Sequence, residues 1–483
     1  MTDELPQVRR PLSALERWYW ITDQVSPLNV IARARVRGVV PEGTWRRALD
    51  ALQERHPLLR VAIGPDAAFV PVTGRPIPLR WVRDATEESW QHELNDYELV
   101  ESIDWRRGPL ARSVVLTGHD TGPRQGRGAV LHHAAPPRGR DQPKTTGSRP
   151  TPQPTELIGE PWTDLVLTLP HCIADGTTLL SLLKEWIELA ADTGPATDGP
   201  RPVLPPLEET LPPGHRGAQG WALAQEQQAE DEALMATRHP GRVDPTTWVP
   251  FEKRRTRLVH RSLEAKVLTD LTHACHRERT TVHGALAAAM VTAVALDAGT
   301  ATPAPYAIGS PVDFRTGLVP PVSPRDVGTF VATLPSVVEY RPGEGLWPMA
   351  RSVTTDLARR REREEHFRAV TLYGRLCPPD VAGSEPLLRF MDEKGPINLC
   401  LSNVGRFDFP DAIGPWQVSG AQFVAGLSVN GQFVGTVNSN HGRLFWNFTH
   451  VEEAVPRDRA DRLADTCVSV LLAALHPAGA PTH

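Results

Sequence analysis

Apolar and polar positions along the chain switch between two periods, and each switch marks an element. Trp162-Thr-Asp-Leu-Val-Leu-Thr-Leu-Pro170 is nearly continuous in apolar side chains, the pattern of a strand covered on both faces;. His171-Cys-Ile-Ala-Asp175-Gly176-Thr-Thr follows, and Leu179 to Ala191 is apolar at helical length. The spacing predicts a strand, a sharp loop and a helix opened by Asp175-Gly176-Thr-Thr, with one imidazole mounted at the strand end on rigid scaffolding. Nearer the N-terminus, strand-like Val30-Ile-Ala-Arg-Ala-Arg-Val36 and Val61-Ala-Ile63 flank a helix over about Glu42 to Arg55, whose Trp45, Ala48, Leu49 and Leu52 recur at helical spacing;.

The second half repeats these themes. Arg257 to Leu263 reads as a strand, Glu264 to Glu278 as a helix, and Val282 to Asp297 as an Ala-rich helix capped by Thr280-Thr281;. Leu444-Phe-Trp-Asn-Phe-Thr-His450, followed by a helix from Arg459 to Leu475, echoes the layout around His171 without the Asp-Gly. The expectation is an α/β (α+β) chain of two similar halves, the second keeping the fold and lacking the base.

Two stretches break the pattern. Residues 118–160 are dense in Pro, Gly, Arg, Thr and Gln, cannot build a core, and read as a largely disordered insertion between two strands;. Its His132-His133 has no Asp-Gly at the right distance. The Pro-rich 192–217 reads as an interdomain linker;. The expected division is an N-terminal half over 1–191, the linker, and a C-terminal half over 218–483.

With 483 residues, each half is large enough to bury a core;. The net charge of −5, from 52 basic and 57 acidic residues, argues against a dedicated nucleic-acid or anionic-membrane binder;. Five cysteines, an odd number without CxxC spacing, indicate neither a disulfide framework nor a zinc site, so no metal is expected;. No segment has the pattern of a signal peptide or a run of roughly 18 apolar residues, so a cytoplasmic protein without a membrane span is expected;.

A neutral imidazole accepts a proton from a hydroxyl or amine near neutral pH, and such a base contributes about 10²–10⁴-fold in rate. A lone histidine at a strand end is more often an ordinary buried residue. Asp175 invites comparison with a Ser-His-Asp triad, but no Gly-x-Ser-x-Gly elbow is present;. Arg359-Arg-Arg-Glu-Arg-Glu-Glu365 reads as the solvated face of a helix, with a basic docking patch as the functional alternative;. Trp18, Tyr19 and Trp20 read as core or interface packing.

His171-x-x-x-Asp175-Gly176 after an apolar strand resembles the signature of the chloramphenicol acetyltransferase-like and condensation-domain superfamily. Arg10-Pro-Leu-Ser-Ala-Leu-Glu16 with Glu54-Arg55-His56-Pro57-Leu58-Leu59-Arg60, then Pro311-Val-Asp313-Phe-Arg315, then Leu401-Ser402-Asn403-Val-Gly405-Arg406, add three more matches in the family's order. The look is nearest to polyketide-associated, phthiocerol dimycocerosyl transferase-like alcohol acyltransferases. The resemblance implies two sandwich halves forming a pseudo-dimer with a tunnel between them. It implies His171 as general base, and Asp175 as an architectural carboxylate paired with an Arg from the second half, for which Arg315 is the candidate. Gly176 would permit an unusual backbone conformation or a close approach. Ser402 and Asn403 would either face the developing oxyanion or line the substrate path, or bridge the two halves.

Members often carry a second His where this chain has Pro170, which moves the expectation from peptide-forming relatives towards ester-forming ones. The implied reaction is acyl transfer from an acyl-CoA or phosphopantetheinyl thioester to a hydroxyl, less readily an amine, in natural-product or lipid biosynthesis. An acyl or peptidyl carrier protein would act in trans, and no cofactor would be permanently bound. The alternatives are a standalone amide-forming condensation enzyme and a non-catalytic recruitment domain.

Overall fold

The computed structural model describes residues 5–120, 159–193, 199–395, 397–429 and 431–476. Two six-stranded mixed sheets organise it. The strands, in chain order, are β1 (Asn29–Arg37), β2 (Leu79–Val82), β3 (Arg112–His119), β4 (Pro161–Pro170), β5 (Thr256–Leu263), β6 (Ala304–Asp313), β7 (Val331–Tyr340), β8 (Leu399–Arg406), β9 (Ala412–Ile413), β10 (Trp416–Ala425), β11 (Phe433–Asn440) and β12 (Arg443–Val451). The principal helices are α1 (Ala14–Val25), α2 (Glu42–Arg55), α3 (Gly176–Ala190), α4 (Gly217–Arg238), α5 (Ala265–Arg277), α6 (Val282–Asp297), α7 (Leu346–Glu362), α8 (Glu365–Leu376) and α9 (Arg457–Leu475).

The first sheet has the order β9-β10-β1-β4-β3-β2 and the second β7-β6-β8-β11-β12-β5. Within them lies a repeat. In β1-β4-β3-β2 the first two pairings are antiparallel and the last is parallel. The series β5-β12-β11-β8 has the same sequence of pairings. β4, which delivers His171, and β12, which carries His450, therefore occupy equivalent places, each followed by a helix. The two-halves expectation is met at the level of topology.

One stretch of the chain crosses between the sheets. Residues 412–425, placed by the expected division in the C-terminal half, pair as β9 and β10 in the first sheet, β10 running along β1. Pairing partners some 390 residues apart leave no local trace in a sequence. The crossing strand is then clasped from the second sheet by side chains. Asn438 and Asn440 Nδ2 donate to the Ala421 carbonyl (2.9 and 2.6 Å), and Thr436 Oγ1 and Asn447 Nδ2 donate to the Phe423 carbonyl (3.0 Å each).

The described part of 192–217 is tied to the fold: Arg201 pairs with Asp326, and Glu208 accepts from the Ala14 amide. The boundaries 118 and 160 of the expected insertion shift slightly, because Gly118 and His119 belong to β3, which pairs with β4 up to His119 opposite Pro161. Residues 121–158, with His132-His133, lie outside the described residues. α6 starts and ends at the predicted residues and is buried nearly all round in the core of the second half, as its uniform apolarity requires;.

Candidate active site

β4 is buried along almost its whole length, and its one charged residue, Asp164, is satisfied by Arg33 and Arg35 of β1. The strand ends at Pro170, and the His171 amide donates to the Leu28 carbonyl (2.9 Å). Asp175 is the N-cap of α3, accepting from the Thr178 amide at 3.0 Å, which satisfies one of the open donors of the first turn;. The loop from His171 to Asp175 is thus bounded by a sheet at one end and a capped helix at the other.

The second half closes on this loop. Arg315 Nη2 donates to both Asp175 oxygens (2.8 Å each) and to Thr178 Oγ1 (2.8 Å), while its Nη1 meets Asp313. The Phe330 amide donates to Asp175 Oδ2 at 2.9 Å, Thr178 Oγ1 donates to the Gly328 carbonyl at 2.8 Å, and Thr329 Oγ1 donates to the His171 carbonyl. Burial alone would raise the Asp175 carboxyl, but the Arg315 charge and these hydrogen bonds outweigh it and hold the group below the usual carboxylate range;. Asp175 therefore stays ionised with its acceptor capacity taken up inside the fold, as an architectural residue would.

Gly176 has an ordinary backbone conformation, and what it provides is space. A Cβ there would stand 2.7, 2.8 and 3.0 Å from three ring atoms of Phe423 on β10. The Asp-Gly pair thus joins the loop to both contributions of the second half, the 313–330 segment and the crossing strand.

His171 keeps intermediate exposure, but its Nδ1 is sealed from solvent, close to the backbone of His171 and Ala174. Any substrate contact must fall to Nε2. Burial lowers the pKa of the imidazole, outweighing the upward pull of Asp175 and of nearby backbone at His171 and Ala174, so the ring is neutral at neutral pH;. The Tyr19 ring lies flat on it, with centroids 4.2 Å apart and 3° between planes. Its neighbours Trp18 and Trp20 pack as core, against Tyr373 and Trp105. Sequence reasoning missed the partners Thr178, Thr329, Phe330 and Phe423 and the stacking of Tyr19; none has a local signal.

Ser402 and Asn403 are half-buried on β8 and make no recorded contact with the His171 loop. Asn403 Oδ1 accepts from the Gly405 amide (2.8 Å) across a bulge, and Gly405 sits at φ +79°, a conformation that favours glycine;. This bulge starts the chain towards the first sheet. Beside it opens a cavity of about 830 Å³, lined among others by Asn403, Arg406, Phe409, Val437 and His441. His171 does not line it.

The charge run 359–365 is a solvated face at Arg359, Arg361, Glu362 and Glu364, which are exposed, and a buried network at Arg360 and Glu365. Arg360 is buried and bonded to Asp231 (2.9 Å), Asp356 (3.1 Å) and Glu365 (2.7 Å), and Arg363 pairs with Glu230 (2.8 Å), locking α4, α7 and α8 together. The counterpart histidine, His450, is fully buried, with Nδ1 donating to the Val455 carbonyl (2.6 Å) and burial holding its pKa at about 4. No substrate reaches it. Among the described residues no group of three or more His, Cys, Asp or Glu is placed to hold a metal ion, and no single helix is long and apolar enough to cross a membrane.

Residues 252–412, one third of the chain, match the family described as phthiocerol/phthiodiolone dimycocerosyl transferase C-terminus; Arg315, Ser402 and Asn403 fall inside the match and His171 outside it. No curated protein matches the chain. Among solved structures, polyketide synthase associated protein 5 from Mycobacterium tuberculosis aligns over 98% of this chain and 100% of its own, with 17% identity and a TM-score of 0.61. Trichothecene 15-O-acetyltransferase from Fusarium sporotrichioides aligns over 96% and 95%, with 13% identity and a TM-score of 0.67. The first condensation domain of the CDA synthetase aligns over 96% and 97%, with 14% identity and a TM-score of 0.64. The chain thus shares its fold with these three structures, and its residues 252–412 match the family named above.

Proposed function

We propose that the protein transfers an acyl group from a CoA or carrier-protein thioester to a hydroxyl of a small or carrier-borne acceptor, with His171 as general base. The observation that carries this reading is a neutral imidazole on a loop clamped from both halves of the molecule by the buried Asp175–Arg315 pair. In the proposed reaction Nε2 takes the proton of the acceptor hydroxyl as its oxygen attacks the thioester carbonyl. The tetrahedral oxyanion collapses, the C–S bond breaks, and the imidazolium returns the proton to the departing thiolate. No acyl-enzyme forms, and much of the rate comes from holding donor and acceptor in line in a passage between the halves.

Ester formation is favoured over amide formation because Pro170 stands where peptide-forming relatives often carry a second His. Asn403 Oδ1 is engaged by the Gly405 amide at the start of the crossing segment, which leaves the Asn403 Nδ2 and the Ser402 hydroxyl as the donors of this pair for a substrate or oxyanion;.

The test is thiol release from a panel of acyl-CoA and acyl-carrier donors with mixed hydroxyl and amine acceptors, comparing the intact protein with His171→Ala. Acceptor-dependent ester, reduced about 10²–10⁴-fold in a still-folded variant, supports the reading. Amide from carrier-bound partners alone would make it a condensation enzyme, and tight carrier binding without release from any donor would make it a recruitment domain.

A further inference from the structure

The loop that carries His171 is held from the second half by the two ends of the 314–330 connection between β6 and β7: Arg315 at its start, and Gly328, Thr329 and Phe330 at its close. The middle of this connection folds as a turn, in which the Ser323 amide donates to Asp326 Oδ2 (3.1 Å) and the Asp326 amide to the Ser323 carbonyl (2.9 Å). Ordering a connection of this length costs conformational entropy. What meets it from outside is the segment between the halves. Arg201 Nε and Nη2 both donate to Asp326 Oδ1 (3.0 and 2.8 Å), and the Val319 amide donates to the Thr210 carbonyl (2.7 Å).

Arg201 is fixed in turn. Its amide donates to the Arg55 carbonyl at the end of α2 (2.7 Å), and Arg55 and His56 meet the two oxygens of Glu185 on α3 (2.7 and 3.0 Å). α3 is the helix that Asp175 caps, so the contacts close a ring. It runs from the His171 loop along α3 to Glu185, across the end of α2 to Arg201, over to Asp326, and back through Thr329 and Phe330 to the loop. The Glu54 to Arg60 motif supplies the α2 corner. Arg10 Nε on the Leu204 carbonyl (3.1 Å) and Glu208 on the Ala14 amide (2.6 Å) fasten the same segment to the N-terminal part of the fold. Asp326 is buried and takes a charge partner from this segment.

We infer that Arg201 is a positioning residue for His171, and that the Pro-rich segment joining the halves is a tie that sets the clamp on the base; the inference rests on the acyl-transfer reading above. Arg201 has no recorded bond to the His171 loop. Removing its side chain leaves every bond to His171 and Asp175 available and frees the turn between Arg315 and Phe330. Thr329 and Phe330 then leave the His171 carbonyl and the Asp175 carboxylate for part of the time, and the loop drifts from its working position. A misplacement of about 1 Å at a reacting group costs about 10²-fold, and a partial one of this kind is expected to cost on the order of 10-fold.

The experiment compares wild type, Arg201→Met, Arg201→Lys, Asp326→Asn and the Arg201→Met, Asp326→Asn double variant by steady-state kinetics and by amide hydrogen exchange. Arg201→Met is expected to lower kcat on the order of 10-fold with KM little changed. Exchange should quicken at the Phe330 and Thr178 amides, both bonded to Asp175, and stay as in wild type in α6 and β12, whereas general loosening would quicken all of them;. Asp326→Asn should act alike, and the double variant should be no worse than either single one, because both remove the same contact. Arg201→Lys should keep most of the activity, since both donors of Arg201 reach one oxygen and a single ammonium can replace them. Should Arg201→Met fail to fold, Asp326→Asn, which keeps the shape of the turn, carries the test. A folded Arg201→Met or Asp326→Asn protein with wild-type kcat and wild-type exchange at Phe330 overturns the inference, as do losses that multiply in the double variant or a Lys variant as impaired as the Met one. An inactive wild type counts against the acyl-transfer reading instead, and the exchange at Phe330 and Thr178 still reports whether Arg201 sets the clamp.

Discussion

Replacing Gly176 by Ala isolates the contact between the His171 loop and the crossing strand. Carbon atoms in ordinary contact sit about 3.5–4.0 Å apart. The new methyl would lie 2.7–3.0 Å from the Phe423 ring, so ring or helix must retreat by roughly 0.7–1 Å;. The ring has little freedom: it is 2% exposed, and its backbone is bonded to Asn438, Thr436 and Asn447. Overpacking of this kind costs about 1–3 kcal/mol, against a gain of up to about 1 kcal/mol for Ala over Gly in a helix. The expected net loss is therefore about 1–2 kcal/mol. Denaturant unfolding of wild type, Gly176→Ala, Phe423→Leu and the double variant reads the coupling directly. Relief of the clash should make the double variant about 1–2 kcal/mol more stable than the sum of the single effects. Acyl transfer, lost in Gly176→Ala as the loop moves, should partly return in the double variant. Additive energies, or a Gly176→Ala protein as stable as wild type, would refute the close-approach account of this glycine.

Arg315→Met leaves Asp175 buried without its cation and should cost about 3–5 kcal/mol at pH 7, much of it recovered by adding Asp175→Asn; unfolding curves of the single and double variants check this. The depressed Asp175 carboxyl contributes stability above the unfolded-state value near 3.8, lost as pH falls through the native value, so the Arg315→Met deficit should shrink in acid;. His260 and His450 are held at about 4 by burial, so the unfolded chain takes up protons that the native one refuses. Stability should fall from about pH 6.5 towards 4, by up to about 1.4 kcal/mol per pH unit for each imidazole, and a Tm flat over that window would exclude the assignment. Replacing 121–158 by an Asn-Gly turn should preserve both Tm and activity, because β3 and β4 are paired up to His119 and Pro161; loss of folded protein would show that the segment is structural;.

Local features were legible and long-range ones were not. The strand, loop and helix around His171 declare themselves by a change of period within twenty residues, and α6 by being apolar on every side. The Asp175–Arg315 pair was reached through motif order, since spacing alone does not join residues 140 positions apart. Tyr19 in a run of three aromatics reads as packing, which is true of Trp18 and Trp20; only the fold brings His171 beneath it. In the run 359–365 the exposed positions read correctly as a surface, while Arg360 misleads because its partner Asp231 comes from a distant helix and pairing lets the guanidinium be buried. Gly176 left two readings open, a special backbone angle or a close neighbour, and the neighbour lies on a strand whose partner in the sheet is remote in sequence.

That strand also sets a schedule for synthesis. β1 is complete once Arg37 is made, but the strand that covers its outer edge begins at Trp416, roughly 380 residues later. At about 5–20 residues per second the edge stands open for some 20–75 s on the ribosome. Open edges invite pairing with other nascent chains, and charge along the strand is a common guard against it. β1 carries Arg33, Arg35 and Arg37 at alternate positions, so the residues that later neutralise Asp164 and Asp120 first serve a waiting edge. Severing the chain at 192–217 would make that wait permanent for the N-terminal piece.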